Sequence, residues 1–301
     1  MPSHQGAVRL FRLAGIDVFL HWSWFVVALY EIQVRAGQYT SVAWNAIEYL
    51  SLFAIVTLHE FGHSLACRQV GGTAERIVLW PLGGVAYVNP PQRPGATLWS
   101  LAAGPLVNVA LVPVLLGLGW AGRLLGRGEA EGNLPDLWWA IFGMNAVILA
   151  FNLLPIYPLD GGQILRSLLW FVLGRARSLM AASLVGFVGV LALVALAVLA
   201  RSFWLGIMAV FVAMSCWSGF QQARRLSALA RLHRRDGFAC PACGAAPPVG
   251  AFWGCGPCGQ PFDAFETQAG CPSCGAPFDA ARCVDCGSLG PMAEWARRSA
   301  G

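Results

Sequence analysis

Apolar residues run along this chain in long blocks separated by short arginine-bearing stretches. Four blocks, Leu98–Gly122, Leu137–Leu159, Ser178–Ala200 and Ser202–Phe220, contain no charged side chain. They match the roughly 20 residues with which a helix crosses a bilayer. Two further blocks are interrupted. Val18–Tyr30 is apolar but short, and crosses only if it extends back past Asp17; Ala46–Cys67 is long enough but carries polar groups. The pattern predicts an all-α polytopic fold of six spans, with a short membrane-associated β-hairpin and a small cysteine-rich module at the end. No small-residue cleavage site follows the first block, so no removable signal peptide is expected.

Composition agrees. Of 301 residues, 57% are hydrophobic and only 12% charged, against about a quarter charged in soluble domains; mean hydropathy is +0.59. All twenty basic residues are arginines. Arg9 and Arg12 precede the first span, Arg68 and Arg76 follow the second, Arg166, Arg175 and Arg177 follow the fourth, and Arg224, Arg225, Arg231, Arg234 and Arg235 follow the sixth. The alternate loops carry fewer: Arg35, Arg123 and Arg127 (offset by Glu129, Glu131 and Asp136), and Arg201. The positive-inside rule then places both termini in the cytoplasm of a cell membrane protein. The net charge of +5 follows from this asymmetry and calls for no nucleic-acid partner.

The polar groups in the second span are "TLHEFGHSLA", Thr57–Ala66. On a helix His59 and His63, four apart, share one face, and Glu60 falls beside it. This is the HExxH arrangement of two zinc ligands and a general base. Each ionisable group at the centre of a membrane helix costs about 2.5–3.5 kcal/mol on insertion scales. Three in five positions demand a compensating partner, which a bound dication supplies. Cys67 and Cys216 read as ordinary buried thiols.

A catalytic zinc takes three protein ligands and keeps one position open. Asp160, in "NLLPIYPLDGGQILRSLL", is the acidic group at matching depth. Pro155 and Pro158 break the helix, and Gly161 and Gly162 are expected to loosen it further. Irregular backbone at that depth is tolerated where it lines a polar cavity. Asp160 could also cap a helix over Gly162–Gly174.

Together, HExxH and N-x-x-P-x-x-P-x-D-G, the latter matched by Asn152, Pro155, Pro158, Asp160 and Gly161, resemble the site-2 protease family of intramembrane zinc metalloproteases. "LGGVAYV" (82–88) resembles that family's glycine segment, and "AAGPLVNV" (102–109) its third-span pattern; the likeness covers about residues 10–225. It implies His59, His63 and Asp160 as ligands of one catalytic Zn2+, Glu60 as base, and Asn152 as a polar group near the reacting carbonyl, although a cap on the broken helix suits Asn152 equally well. It further implies a transmembrane protein substrate cut in or near its membrane segment. Only about 25 residues separate the second and third spans, too few for an inserted PDZ domain, so this resembles a compact branch.

A helical substrate must unwind to be cut, and an exposed sheet edge holds an unwound strand. Residues 76–88 suit such an edge around their Pro-Leu-Gly-Gly turn, with Gly83, Gly84, Val85 and Ala86 on the binding strand; a plain connecting hairpin fits equally well. His21 lies near the expected metal depth, where it could gate the site, although a packed bundle histidine is the commoner outcome.

The tail carries Cys240/Cys243, Cys255/Cys258, Cys271/Cys274 and Cys283/Cys286. Four such pairs resemble a double zinc ribbon with two structural zincs. Sequential pairing is expected, with interleaved pairing open. A cytoplasmic tail keeps its thiols reduced, which disfavours disulfides. From Cys240 onward three arginines face five acids, a balance that suits a protein partner rather than nucleic acid. The expected organisation is a membrane domain over 1–225, a basic linker over 226–239 that could rest on lipid, and the ribbon over 240–301. Two rival functions stay in view. A metalloprotease with a downstream glutamate ligand lacks an ExxxE-type helix, and a zinc-binding adaptor, chaperone or metal carrier would not need Glu60.

Overall fold

The computed structural model describes residues 6–34, 37–80, 83–125, 133–267 and 269–295. Arg35, Pro81, Leu82, Arg127, Glu129, Glu131, Arg297 and Arg298, which the charge and turn arguments use, lie outside the described residues. The chain forms two compact units, Met1–Gly174 with Ala181–Trp217, and Arg175–Met180 with Ser218–Gly301.

The chain opens with strands β1 (Ala7–Leu13) and β2 (Ile16–His21), then helices α1 (Ser23–Val34) and α2 (Val42–Gln69). Strands β3 (Thr73–Trp80) and β4 (Gly83–Asn89) follow, then α3 (Pro94–Leu125), α4 (Asn133–Leu153), α5 (Asp160–Leu199) and α6 (Phe203–Ala230). Among the described residues, helices α2 to α6 contain five segments long and apolar enough to cross a membrane. Their outer faces stay apolar, with Val188, Leu191 and Val198 67–70% exposed, as lipid contact requires.

Val18–Tyr30 is not one helix. Ile16, Val18 and Leu20 are buried while Asp17 and Phe19 are half-buried, the period of two that marks a strand. A short apolar run does not by itself separate strand from helix, and here it holds both. Strand β2 pairs parallel with β3 and leads into α1. Its six residues reach about 20 Å, and the twelve of α1 about 18 Å. Neither alone covers a hydrocarbon core of about 30 Å; in series they are long enough.

The expected hairpin is therefore half of a four-stranded sheet, ordered β1-β2-β3-β4, with β4 at an edge. It packs on α2 through Ile16, Val18, Leu20, Ile77 and Leu79 against Val56 and Phe61. Fully burying side chains of this size stabilises by about 1.5–3 kcal/mol each, which fixes the sheet beside the metal-binding half of α2.

Helix α4 stops at Leu153, ahead of Pro155 and Pro158, and α5 starts at Asp160. Gly161 and Gly162 do not loosen this corner. A Cβ on Gly161 would lie 2.4 Å from the Leu153 carbonyl oxygen, and one on Gly162 2.4 Å from the Ile156 carbonyl carbon. They let the broken segment fold tightly over the start of α5. That helix is interrupted at Gly174 (φ 77°), where the sequence placed the end of its first part.

The second unit holds two short antiparallel pairs, β5 (Trp253–Gly254) with β6 (Pro261–Phe262), and β7 (Ala280–Arg282) with β8 (Leu289–Pro291). Its core is Trp253, Phe262, Phe265 and Trp295 packed among cysteines.

Candidate active site

Helices α2 and α3 approach closely because of two glycines. A Cβ on Gly62 would meet the Ala103 carbonyl oxygen at 2.7 Å, and one on Gly104 would meet His63 Nε2 at 2.2 Å and His59 Nε2 at 2.8 Å. Small residues at such crossings let helix backbones pack in a membrane. Here they also leave the two imidazoles room.

His59 and His63 are buried, one turn apart on α2. Their Nε2 atoms are 3.1 Å apart. Asp160 Oδ2, from the first residue of α5, lies 3.0 Å from His59 Nε2 and 3.2 Å from His63 Nε2. A tetrahedral ion with bonds of about 2.0–2.1 Å holds its donors about 3.3 Å apart, so this set fits zinc. The other ring nitrogens are engaged: His59 Nδ1 lies 2.6 Å from Asn108 Oδ1, and His63 Nδ1 lies 2.8 Å from the Ser100 carbonyl. Outer partners of this kind orient metal-binding histidines. Both sit on α3; Asn108 lies within "AAGPLVNV", a pattern that by itself assigns it no role, and Ser100 lies just outside it.

Glu60 is buried, and its Oε2 accepts the Ala86 backbone N–H at 2.8 Å. Ala86 lies on β4, opposite Ile77 of β3. The carboxylate thus reaches the edge strand, and a Cβ on Gly84 would lie 2.3 Å from Glu60 Cγ. Gly83, Gly84, Val85 and Ala86 all belong to that edge strand. Asn152 sits half-buried in the last turn of α4. His21 ends β2, stacked on Trp80 at 4.0 Å with Nδ1 2.6 Å from Ser23 Oγ; the metal-binding trio is His59, His63 and Asp160. Cys67 and Cys216 are buried thiols donating to the Thr73 and Tyr157 carbonyls.

In the second unit the cysteines form two groups, Cys240, Cys243, Cys283 and Cys286 around Cys255, Cys258, Cys271 and Cys274. The expected sequential pairing is replaced by a nested one. Sulfurs lie 3.8 Å apart in Cys240–Cys286 and Cys243–Cys283, 3.6 Å in Cys255–Cys274 and 3.7 Å in Cys258–Cys271. Four thiolates at about 2.3 Å from one zinc sit about 3.8 Å apart, so both groups fit a metal. Each pair is followed by a glycine at φ 72–75°, a left-handed turn that favours glycine, and this explains the repeated Cys-x-x-Cys-Gly. Burial opposes ionisation of Cys240, but the Ser288 hydroxyl and the Cys243 and Ala242 amides bring its thiol down to about 7. The Cys258 amide pulls Cys255 the same way, yet burial and the Cys258, Cys274 and Cys271 sulfurs push it up to about 12. Four adjacent thiolates need a cation.

Arg234 clasps the Asp285 carboxylate at 2.6 and 3.0 Å, Arg175 donates to the Asp285 carbonyl at 2.7 Å, and Arg235 pairs with Asp263 at 2.7 Å. Arg234 and Arg235 of the basic linker, with Arg175 of α5, thus hold the cysteine unit, beyond any role at the lipid surface.

A model of peptidase family M50 matches residues 47–124 and 126–196, a stretch that includes every residue of the trio, Glu60, Asn108 and Asn152. The zinc metalloprotease MJ0392 of Methanocaldococcus jannaschii is 33% identical over 180 residues, 60% of this chain and 50% of that protein. Stage IV sporulation protein FB of Bacillus subtilis is 30% identical over 120 residues, 38% of each chain. The solved site-2 protease from Methanocaldococcus jannaschii aligns with a TM-score of 0.51 and 29% identity, over 71% of this chain and 95% of that one. The chain spans half of the length of MJ0392 and 38% of that of the sporulation protein.

Proposed function

The chain belongs to peptidase family M50, the site-2 protease family, and from that premise we propose that it is a multi-pass intramembrane zinc endopeptidase. Its substrate is a transmembrane protein, hydrolysed in or near the membrane segment during regulated intramembrane proteolysis. The convergence of His59, His63 and Asp160 beside Glu60 carries this reading. A zinc ion held there supplies a Lewis acid and a water acidified to a pKa of about 7.

The chain's own groups do the rest. Glu60 takes the proton of the attacking water and returns it to the leaving amine. Asn152 donates to the oxygen that develops negative charge, a task for a fixed amide dipole. The unwound substrate adds to β4 along Gly83–Ala86 by main-chain bonds, and its carbonyl replaces Glu60 on the Ala86 N–H, which frees the carboxylate for the water. Residues 1–225 form this catalytic domain. Residues 226–239 link it to a zinc-loaded 240–301 unit that docks a protein partner. With β2 and α1 in series as the first of six crossings, the arginine asymmetry supports both termini on the cytoplasmic side of the cell membrane.

The test compares membrane-protein termini in cells with wild-type protein and with Glu60→Gln. New termini within or beside membrane spans, present only with wild type, support the protease. Identical sets, with zinc held by both proteins, would favour a non-catalytic adaptor or carrier.

A further inference from the structure

Three helices meet at an amide pair that the HExxH motif does not announce. Asn108 on α3 and Asn145 on α4 are both fully buried. Asn108 Nδ2 donates to Asn145 Oδ1 at 2.8 Å, and Asn145 Nδ2 donates to the Asn108 main-chain carbonyl at 3.0 Å. The Asn108 oxygen lies 2.6 Å from His59 Nδ1. The two ends of an amide are alike in shape, so its direction is set by a partner that acts in one sense only.

The main-chain carbonyl of Asn108 is such a partner, because it only accepts. Asn145 must turn its NH2 to that carbonyl and its oxygen to Asn108. Asn108 must then turn its NH2 to Asn145 and its oxygen to His59. His59 Nδ1 therefore carries the hydrogen, and the bare Nε2 faces His63 and Asp160. We infer that Asn145, acting through Asn108, is a positioning residue that selects the ring nitrogen His59 presents to the metal. This rests on the metal reading above and assigns residues beyond the ligands and the base.

The two histidines are held differently. His63 is oriented by the Ser100 main-chain carbonyl, which no side-chain substitution removes. His59 depends on two side chains, one of them on a third helix. Removing Asn145 leaves Asn108 free to reverse its amide and offer NH2 to His59 Nδ1, which stabilises the tautomer with its hydrogen on Nε2. That tautomer cannot bind a metal through Nε2.

The experiment uses the full-length chain and metal alone. Co2+ titration reads the histidine–carboxylate site as the absorption lost in His59→Ala, and chelator competition gives the Zn2+ affinity of the same site. Asn108→Leu and Asn145→Leu should each weaken that affinity about 10–100-fold, the usual loss for an outer partner of a metal-binding histidine. The double variant should match Asn108→Leu within about twofold, because residues acting in series are not additive. Retained tail metal and an unchanged melting transition show that each variant is folded. If Asn145→Leu binds as tightly as wild type, or its loss multiplies with that of Asn108→Leu, the relay is overturned. If wild type itself shows no signal sensitive to His59→Ala, the metal reading fails, and the relay with it.

Discussion

Gly104→Ala is the sharpest perturbation of the metal site, because the added atom lands among the donors rather than behind them. The new methyl would lie 2.2 Å from His63 Nε2, 2.4 Å from His63 Cε1 and 2.8 Å from His59 Nε2. Non-bonded heavy atoms settle about 3.5–4.0 Å apart, so His63 must retreat by about 1.3 Å or the helices must part. Metal and catalytic constellations tolerate about 0.5 Å. A misplacement near 1 Å costs about 100-fold in rate, and loss of the ion costs the activity altogether. Gly122→Ala on the same helix is the control, since a methyl there meets nothing within 4 Å. Metal analysis of the purified full-length proteins should show one equivalent fewer in Gly104→Ala, with the cysteine-bound metal kept, and no change in Gly122→Ala. Full occupancy of the histidine site in Gly104→Ala would refute the geometry on which the reasoning stands.

Four further outcomes are expected. Glu60→Gln should keep the metal and the fold while cutting turnover by about 10²–10⁴-fold, the usual worth of a general base, as read by cleavage of a membrane substrate. Ala86→Pro should suppress cleavage while zinc content stays unchanged, because it removes the edge N–H that Glu60 now holds and leaves the β3 side of the strand intact. Nested cysteine pairing predicts that Cys240→Ser with Cys283→Ser loses one metal, and Cys240→Ser with Cys255→Ser loses two; sequential pairing predicts the reverse. Burial opposes the ionisation of Asp263, but the Gly250 amide, Arg235 and the Phe265 amide outweigh it and hold its carboxyl below the usual range. Asp263→Asn should therefore lower the thermal stability of the cysteine unit at neutral pH by about 1.5–3 kcal/mol. A depressed folded pKa stabilises above the unfolded value of about 3.9, so the gap to wild type should close as pH falls through that value and below; a gap that persists there would contradict the assignment.

Much of the site was legible in the sequence because its chemistry is expensive in lipid. His59, Glu60, His63 and Asp160 stand out against an apolar background, and helical spacing is enough to bring the two histidines together. What stayed hidden is the part that costs little by itself. Asn108 and Asn145 are neutral amides, which stand out less than ionisable groups in a membrane helix, and only the approach of α2, α3 and α4 gives them a shared task. Val18–Tyr30 reads as part of one span because β2 passes into α1 across a single residue, Trp22, with no proline or glycine to mark the change, and the alternation of Ile16, Val18 and Leu20 becomes decisive only once β3 is seen beside it. Cysteine pairing depends on which knuckles the chain folds together, and four similar Cys-x-x-Cys-Gly units give no local preference among partners. Gly161 and Gly162 mark a tight corner, visible only as backbone proximity.

The central claim is hydrolysis of a peptide bond at the site formed by His59, Glu60, His63 and Asp160. A substrate identified from its new terminus should be reconstituted with the full-length chain in lipid vesicles made up in H2¹⁸O, and the product's new carboxyl terminus weighed. One ¹⁸O atom is expected in that carboxylate with wild type, product formation slowed about 10²–10⁴-fold with Glu60→Gln, and no product with His59→Ala. Cleavage that persists at wild-type rate in either variant would contradict that claim.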